Sequence, residues 1–153
     1  MKKGRKNQET RAKKGLKLKD DLKVVIQHKF YFEALWILSI QLEGKLKKML
    51  EKVEKTTPGS GFSLEQCIKR LKHLHLTEKE PLFSRYFKVS LIDEIRSWKN
   101  QRNNILKDMQ DVHVSLARRE RHVQDGVRLL QEWNQHNRKF KTECKRLANQ
   151  PGL

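Results

Sequence analysis

Apolar residues that return every three or four positions dominate this chain, and no stretch alternates with period two for long enough to specify a strand. Leu35, Leu38, Leu42, Leu46, Met49 and Val53 keep the helical spacing. Leu91, Ile95, Trp98, Ile105 and Met109 keep it again, and so do Val123, Val127, Leu130, Trp133, Phe140, Cys144 and Leu147. A helix with one buried face produces this pattern. The sequence therefore predicts an all-α protein, a bundle of about four helices of which two are long. Its 153 residues suit one domain plus tails, and 36% hydrophobic content can build a core. Residues 1–19 read as a flexible basic arm and residues 20–150 as the helical bundle.

Local signals set the boundaries. Asp20 or Asp21 suits the start of a first long helix that runs to about Lys55. Around Phe30 to Leu42 that helix is apolar on more than one side, which predicts either a central position in the bundle or a homodimer seam. Thr57-Pro58-Gly59-Ser60-Gly61 is a loop by composition. Ser63-Leu64-Glu65-Gln66 has the form of a capping box, with Phe62 as a hydrophobic staple, and opens a shorter helix to about His75. Residues 76–89 read as a connector with one helical turn, whose Phe83, Tyr86 and Phe87 close the end of the core. A third helix spans Ser90 to Met109, and a last one runs from about Ser115 to Asn149.

The charge is far from ordinary: 35% of residues are charged and the net charge is +17. Residues 1–23 hold ten Lys or Arg against three acids, residues 24–114 sixteen against eleven, and residues 115–153 nine against four. The body thus stays basic without its arm. Such an excess points to nucleic acid, another polyanion or an acidic protein partner. The arm, with Lys13 and Lys14, either touches phosphates without sequence preference or serves as a solubilising tail. Cys67 and Cys144 stand apart with no C-x-x-C pair, which suggests reduced thiols in a cytoplasmic protein. The six histidines are scattered and no phosphate-loop, dinucleotide or metalloprotease motif occurs, so neither a metal nor a cofactor is expected. The apolar run from Ala34 to Leu42 is too short to span a membrane, and no signal peptide is evident.

Arg102 stands out because the apolar stripe of its own helix runs through it. A buried guanidinium needs a partner, and no acid lies within one helical turn. Glu33 or Glu43 of the first helix, a second subunit, or a ligand phosphate would each answer it. Arg96, Lys99, Asn103 and Lys107 form a polar stripe beside it that could grip a phosphate backbone. Arg118, Arg119, Arg121 and Arg128 on the last helix are further candidates for nucleic-acid contact.

The Arg102-Asn103 pair, followed by a short spacer late in a helical bundle, resembles the HEPN superfamily. That family consists of small all-α domains, often dimeric, many of them metal-independent RNases of toxin–antitoxin, phage-defence and RNA-processing systems. The resemblance implies catalytic positions at Arg102, Asn103 and Lys107, a homodimer, and RNA rather than DNA as the target. Lys107 occupies the position where the family carries histidine. A lysine is a fixed cation and a poor general base near neutral pH, so the resemblance implies weak or lost RNase activity. Two alternatives stand beside it: an active metal-independent endoribonuclease, and a basic helical interaction protein that docks on an acidic partner or a ribonucleoprotein.

Overall fold

A computed structural model of the chain describes residues 19–55, 62–111 and 114–150, with all their side chains except those of residues 109–111. Among these residues there are six helical segments and no strand. Helix α1 covers residues 19–27, α2 Tyr31–Glu54, α3 Leu64–Thr77, α4 Pro81–Tyr86, α5 Val89–Asp111 and α6 Leu116–Ala148. The chain is all-α, and the expected count of about four helices becomes six. Arm residues 1–18 and the loop at 57–61 lie outside the described residues.

One of the two extra helices arises because the first long helix is broken. Lys29 adopts φ 60, its N–H donates to Ile26 O at 3.0 Å, and Phe30 N–H donates to Val25 O at 2.8 Å. This is the Schellman pattern that ends a helix, here with lysine where glycine is usual. A left-handed lysine costs roughly 1 kcal/mol. Stacking of His28 on Phe30, with ring centroids 5.8 Å apart, helps to offset that cost. Lys55 and Glu78 end α2 and α3 in the same left-handed conformation. The remaining extra helix is the connector turn, α4.

The capping box expected at Ser63 forms, and a second cap forms at Ser115. Ser63 Oγ accepts from Gln66 N at 3.2 Å, and Gln66 Oε1 accepts from Ser63 N at 2.8 Å, so both arms of the capping box are formed. Ser115 Oγ accepts from Arg118 N at 3.2 Å and caps α6.

Helix α2 packs against α3, α5 and α6, and its Leu35, Leu38, Leu42 and Leu46 are fully buried. Each such side chain contributes roughly 1.5–3 kcal/mol through burial. Phe83 stacks on Phe87 at 5.2 Å, and Phe87 meets Trp133 of α6 at 4.5 Å, so the connector aromatics close one end of the core.

Val123, Trp133 and Phe140 of the expected α6 stripe are buried, but the buried face is wider than the spacing predicts. His122, Gly126 and Leu129 are buried, Val127 and Leu130 only half-buried, and Leu147 exposed. Trp98 of α5 packs on His122 and against Gly126. Its Nε1 donates to His122 O at 2.9 Å, His122 Nε2 lies 3.0 Å from Trp98 O, and the rings stack 5.0 Å apart at 5°. A Cβ at Gly126 would lie 2.8 Å from Trp98 Cζ2, so only glycine admits the indole there.

Candidate nucleic-acid interface

Arg102 is half-buried on α5 and reaches across to α2. Its Nη1 donates to Ser39 Oγ, while Nε and Nη2 donate to Asn103 Oδ1 at 3.1 and 2.6 Å. Ser39 spends its own proton on Leu35 O at 2.7 Å, which leaves its oxygen free to accept. Every one of these partners is neutral. The carboxylate expected from the first helix is not a direct partner: Glu43 bridges Lys47 at 3.0 Å and acts on Arg102 only through space. Among the described residues no carboxylate forms an ion pair with Arg102. Burial pulls its pKa below the ordinary guanidinium value, and the charge of Glu43 opposes that shift. Arginine does not deprotonate in proteins, so the shift records a half-buried charge that no carboxylate among the described residues touches directly.

Lys107 lies one turn beyond Asn103 and is exposed, and among the described contacts none joins it to Arg102. The imidazole near this end of α5 comes from α6. Burial lowers the pKa of His122; its bond to Trp98 and the charge of Asp125 oppose this, and Arg102 and Arg118 add to it. With Nε2 committed to Trp98 O, this histidine is a fixed part of the helix contact.

The other expected cations are dispersed and mostly neutralised. Arg96 reaches Glu65 of α3 at 2.9 Å, and Lys99 bonds the other oxygen of the same carboxylate. The bond from Lys99 holds Glu65 below the usual carboxylate range. Arg118 pairs with Asp108 at 3.3 Å, and Arg128 with Glu94 at 3.1 Å and Glu132 at 2.8 Å. Arg119 is half-buried and its Nε has no hydrogen-bond partner among the described residues. Arg121 is exposed and lines, with Arg118, His122, Asp125, Gln101 and Asn104, a cleft of about 230 Å³ between α5 and α6. Lys13 and Lys14 lie outside the described residues.

A cationic surface that sequence reading missed lies elsewhere. Lys45, Lys48 and Lys52 follow at steps of three and four on one face of α2. Lys52 Nζ sits 5.0 Å from the ring centre of Phe140, which sets this face against α6 beside Lys141. Lys45 is half-buried, and burial lowers its pKa first, followed by the repulsion of Lys48, Lys141 and Lys19. Three helices thus bring like charges together, and none of these five lysines takes part in an ion pair among the described residues. The 45/48/52 spacing was visible in the sequence. The arrival of Lys19 and Lys141 depends on tertiary structure.

Among the described residues no three His, Cys, Asp or Glu side chains cluster as a metal site would require. No described helix is long and apolar enough to cross a membrane. No family model, curated protein or solved structure matches the chain.

Proposed function

We propose that this protein binds nucleic acid through its folded body, as a HEPN-like helical domain with weak or lost RNase activity. The observation that carries this reading is the convergence of Lys45, Lys48, Lys52, Lys141 and Lys19 without a carboxylate in an ion pair among them. Lys48, Lys141 and Lys19 repel the half-buried Lys45, and a phosphate backbone laid across them relieves that repulsion. Arg102, ringed by neutral partners, adds a further uncompensated charge. The preference for RNA over DNA rests on the resemblance carried by Arg102 and Asn103. Binding is favoured over cleavage because Lys107 stands where the family carries histidine, the Asn103 oxygen is occupied by Arg102, and His122 is held by Trp98.

Anisotropy of labelled single-stranded and duplex RNA and DNA, at low and moderate salt, tests the reading. Four or five phosphate contacts on a single strand give a log–log salt slope of about −3, so affinity falls roughly sixty-fold from 50 to 200 mM salt. Absence of binding at low micromolar protein in 50 mM salt, or binding indifferent to salt, overturns it. Capture of an acidic protein that survives nuclease treatment would instead favour the interaction-protein reading.

A further inference from the structure

Helix α2 leaves one face uncovered near its N-terminal end. Phe32, Trp36 and Ile40 recur every fourth residue along it and are 49%, 59% and 43% exposed. Phe30, at its N-cap, is 55% exposed. Ser39, which accepts from Arg102, is the neighbour of Ile40 and lies one turn from Trp36, so Arg102 is anchored on the same stretch of α2 as this stripe. Of the two carboxylates nearby on α2, Glu43 is bridged to Lys47, and Glu33 sits in the first turn.

We propose that the Phe32–Trp36–Ile40 face, together with Arg102, is a stacking platform for the unpaired bases of a single-stranded nucleic acid. This deepens the nucleic-acid reading and rests on it. Single strands are held by aromatic faces set beside a backbone-tracking cation, because every base offers a π-face and every linkage a phosphate. Exposed rings bordered by an uncompensated arginine supply both parts. Bases inside a duplex are stacked on one another and cannot reach the rings.

A second copy of the chain is the poorer occupant. Half-exposed side chains of this size present roughly 100 Å² each, so four of them in two copies bury about 800 Å². A stable interface needs roughly 1,000 Å² or more. Each copy would also bring a net charge of +17 to the contact.

Trp36 makes the test direct, since Trp98 and Trp133 are buried and it alone of the three tryptophans is exposed. The full chain is titrated with a single-stranded oligouridylate, an RNA duplex and inorganic polyphosphate while tryptophan emission is followed. The oligouridylate is expected to quench emission and the other two to leave it largely unchanged. Trp36→Leu keeps an apolar group without a stacking face and should weaken oligouridylate binding roughly five- to hundred-fold. Trp36→Phe should retain most of it. Equal quenching by polyphosphate, or unchanged affinity in Trp36→Leu, overturns the platform and leaves the broader reading standing. A blue shift of emission that grows with protein concentration alone would show a second copy on the stripe and also overturns it. Failure of every nucleic acid to bind removes both.

Discussion

Replacing Gly126 by alanine sets two known effects against each other. In an exposed helix interior, Gly→Ala stabilises by roughly 0.5–1 kcal/mol, because alanine restricts the unfolded backbone and favours the helix. At Gly126 the new Cβ would stand 2.8 Å from Trp98 Cζ2, 2.9 Å from Trp98 Cε2 and 2.9 Å from Leu38 Cδ1. The indole cannot step aside cheaply. Its Nε1 is bonded to His122 O and its ring is stacked on the imidazole of His122. Overpacking of a filled site costs roughly 1–3 kcal/mol, so Gly126→Ala should destabilise by about 1–2 kcal/mol net. Gly44, in the interior of α2, is the control, since a Cβ there meets nothing within 4 Å. Gly44→Ala should therefore stabilise by roughly 0.5–1 kcal/mol. Urea unfolding followed by circular dichroism measures both, and each kcal/mol corresponds to about 3 °C in Tm. If the two variants move stability in the same direction and by the same amount, the described Trp98 contact is wrong.

Three further outcomes follow from the same geometry. Burial holds the folded pKa of His122 below the ordinary 6.5, so above that pH both states are neutral and its full contribution is present. Below pH 6.5 the unfolded chain takes up a proton that the fold excludes, so stability drains away toward the folded value. Unfolding between pH 7.5 and 5 should show this loss reduced in His122→Gln, and parallel curves would contradict it. Cys67 is buried and burial pushes its thiol up to about 11, whereas Cys144 is half-buried. A thiol-reactive disulfide reagent should label one cysteine in the native protein and the second only on unfolding; two fast-reacting thiols would refute this. Lys45→Gln removes a half-buried charge from among like charges, so Tm should rise while affinity for single-stranded RNA falls, and a fall in both would count against the cluster.

The helical class was legible because burial follows period. Leu35, Leu38, Leu42 and Leu46 are the residues that the spacing singles out, and all four are fully buried. The capping box at Ser63 was legible because it satisfies orphan N–H groups with side chains three residues away, whereas the N-cap at Ser115 comes from the structure. The break after α1 was not legible, because lysine rather than glycine occupies the left-handed position at residue 29. Nothing local announced the burial of His122 and Gly126 either. His122 and Gly126 are buried because Trp98, 24 residues before His122, lies on them. Arg102 was correctly marked as lacking a charged partner on its own helix, but its hydrogen-bond acceptor Ser39, 63 residues away, was not foreseen. Arg96, Lys99, Arg118 and Arg128 look alike in sequence to the lysines of the α2 face. What separates them is pairing: Glu65, Asp108, Glu94 and Glu132 answer the former.

Pairing is therefore the property to measure. The variant Lys45→Glu/Lys48→Glu/Lys52→Glu reverses the unpaired face, and Arg128→Glu reverses a cation held by two carboxylates. Both are assayed as full chains against single-stranded RNA across a salt series, with helicity checked first. If unpaired cations on the folded body hold the backbone, the triple variant should lose roughly two from the log–log salt slope and more than tenfold in affinity at 50 mM salt, with Arg128→Glu changing far less. Equal losses in the two variants, or an unchanged slope in the triple variant, would contradict the account.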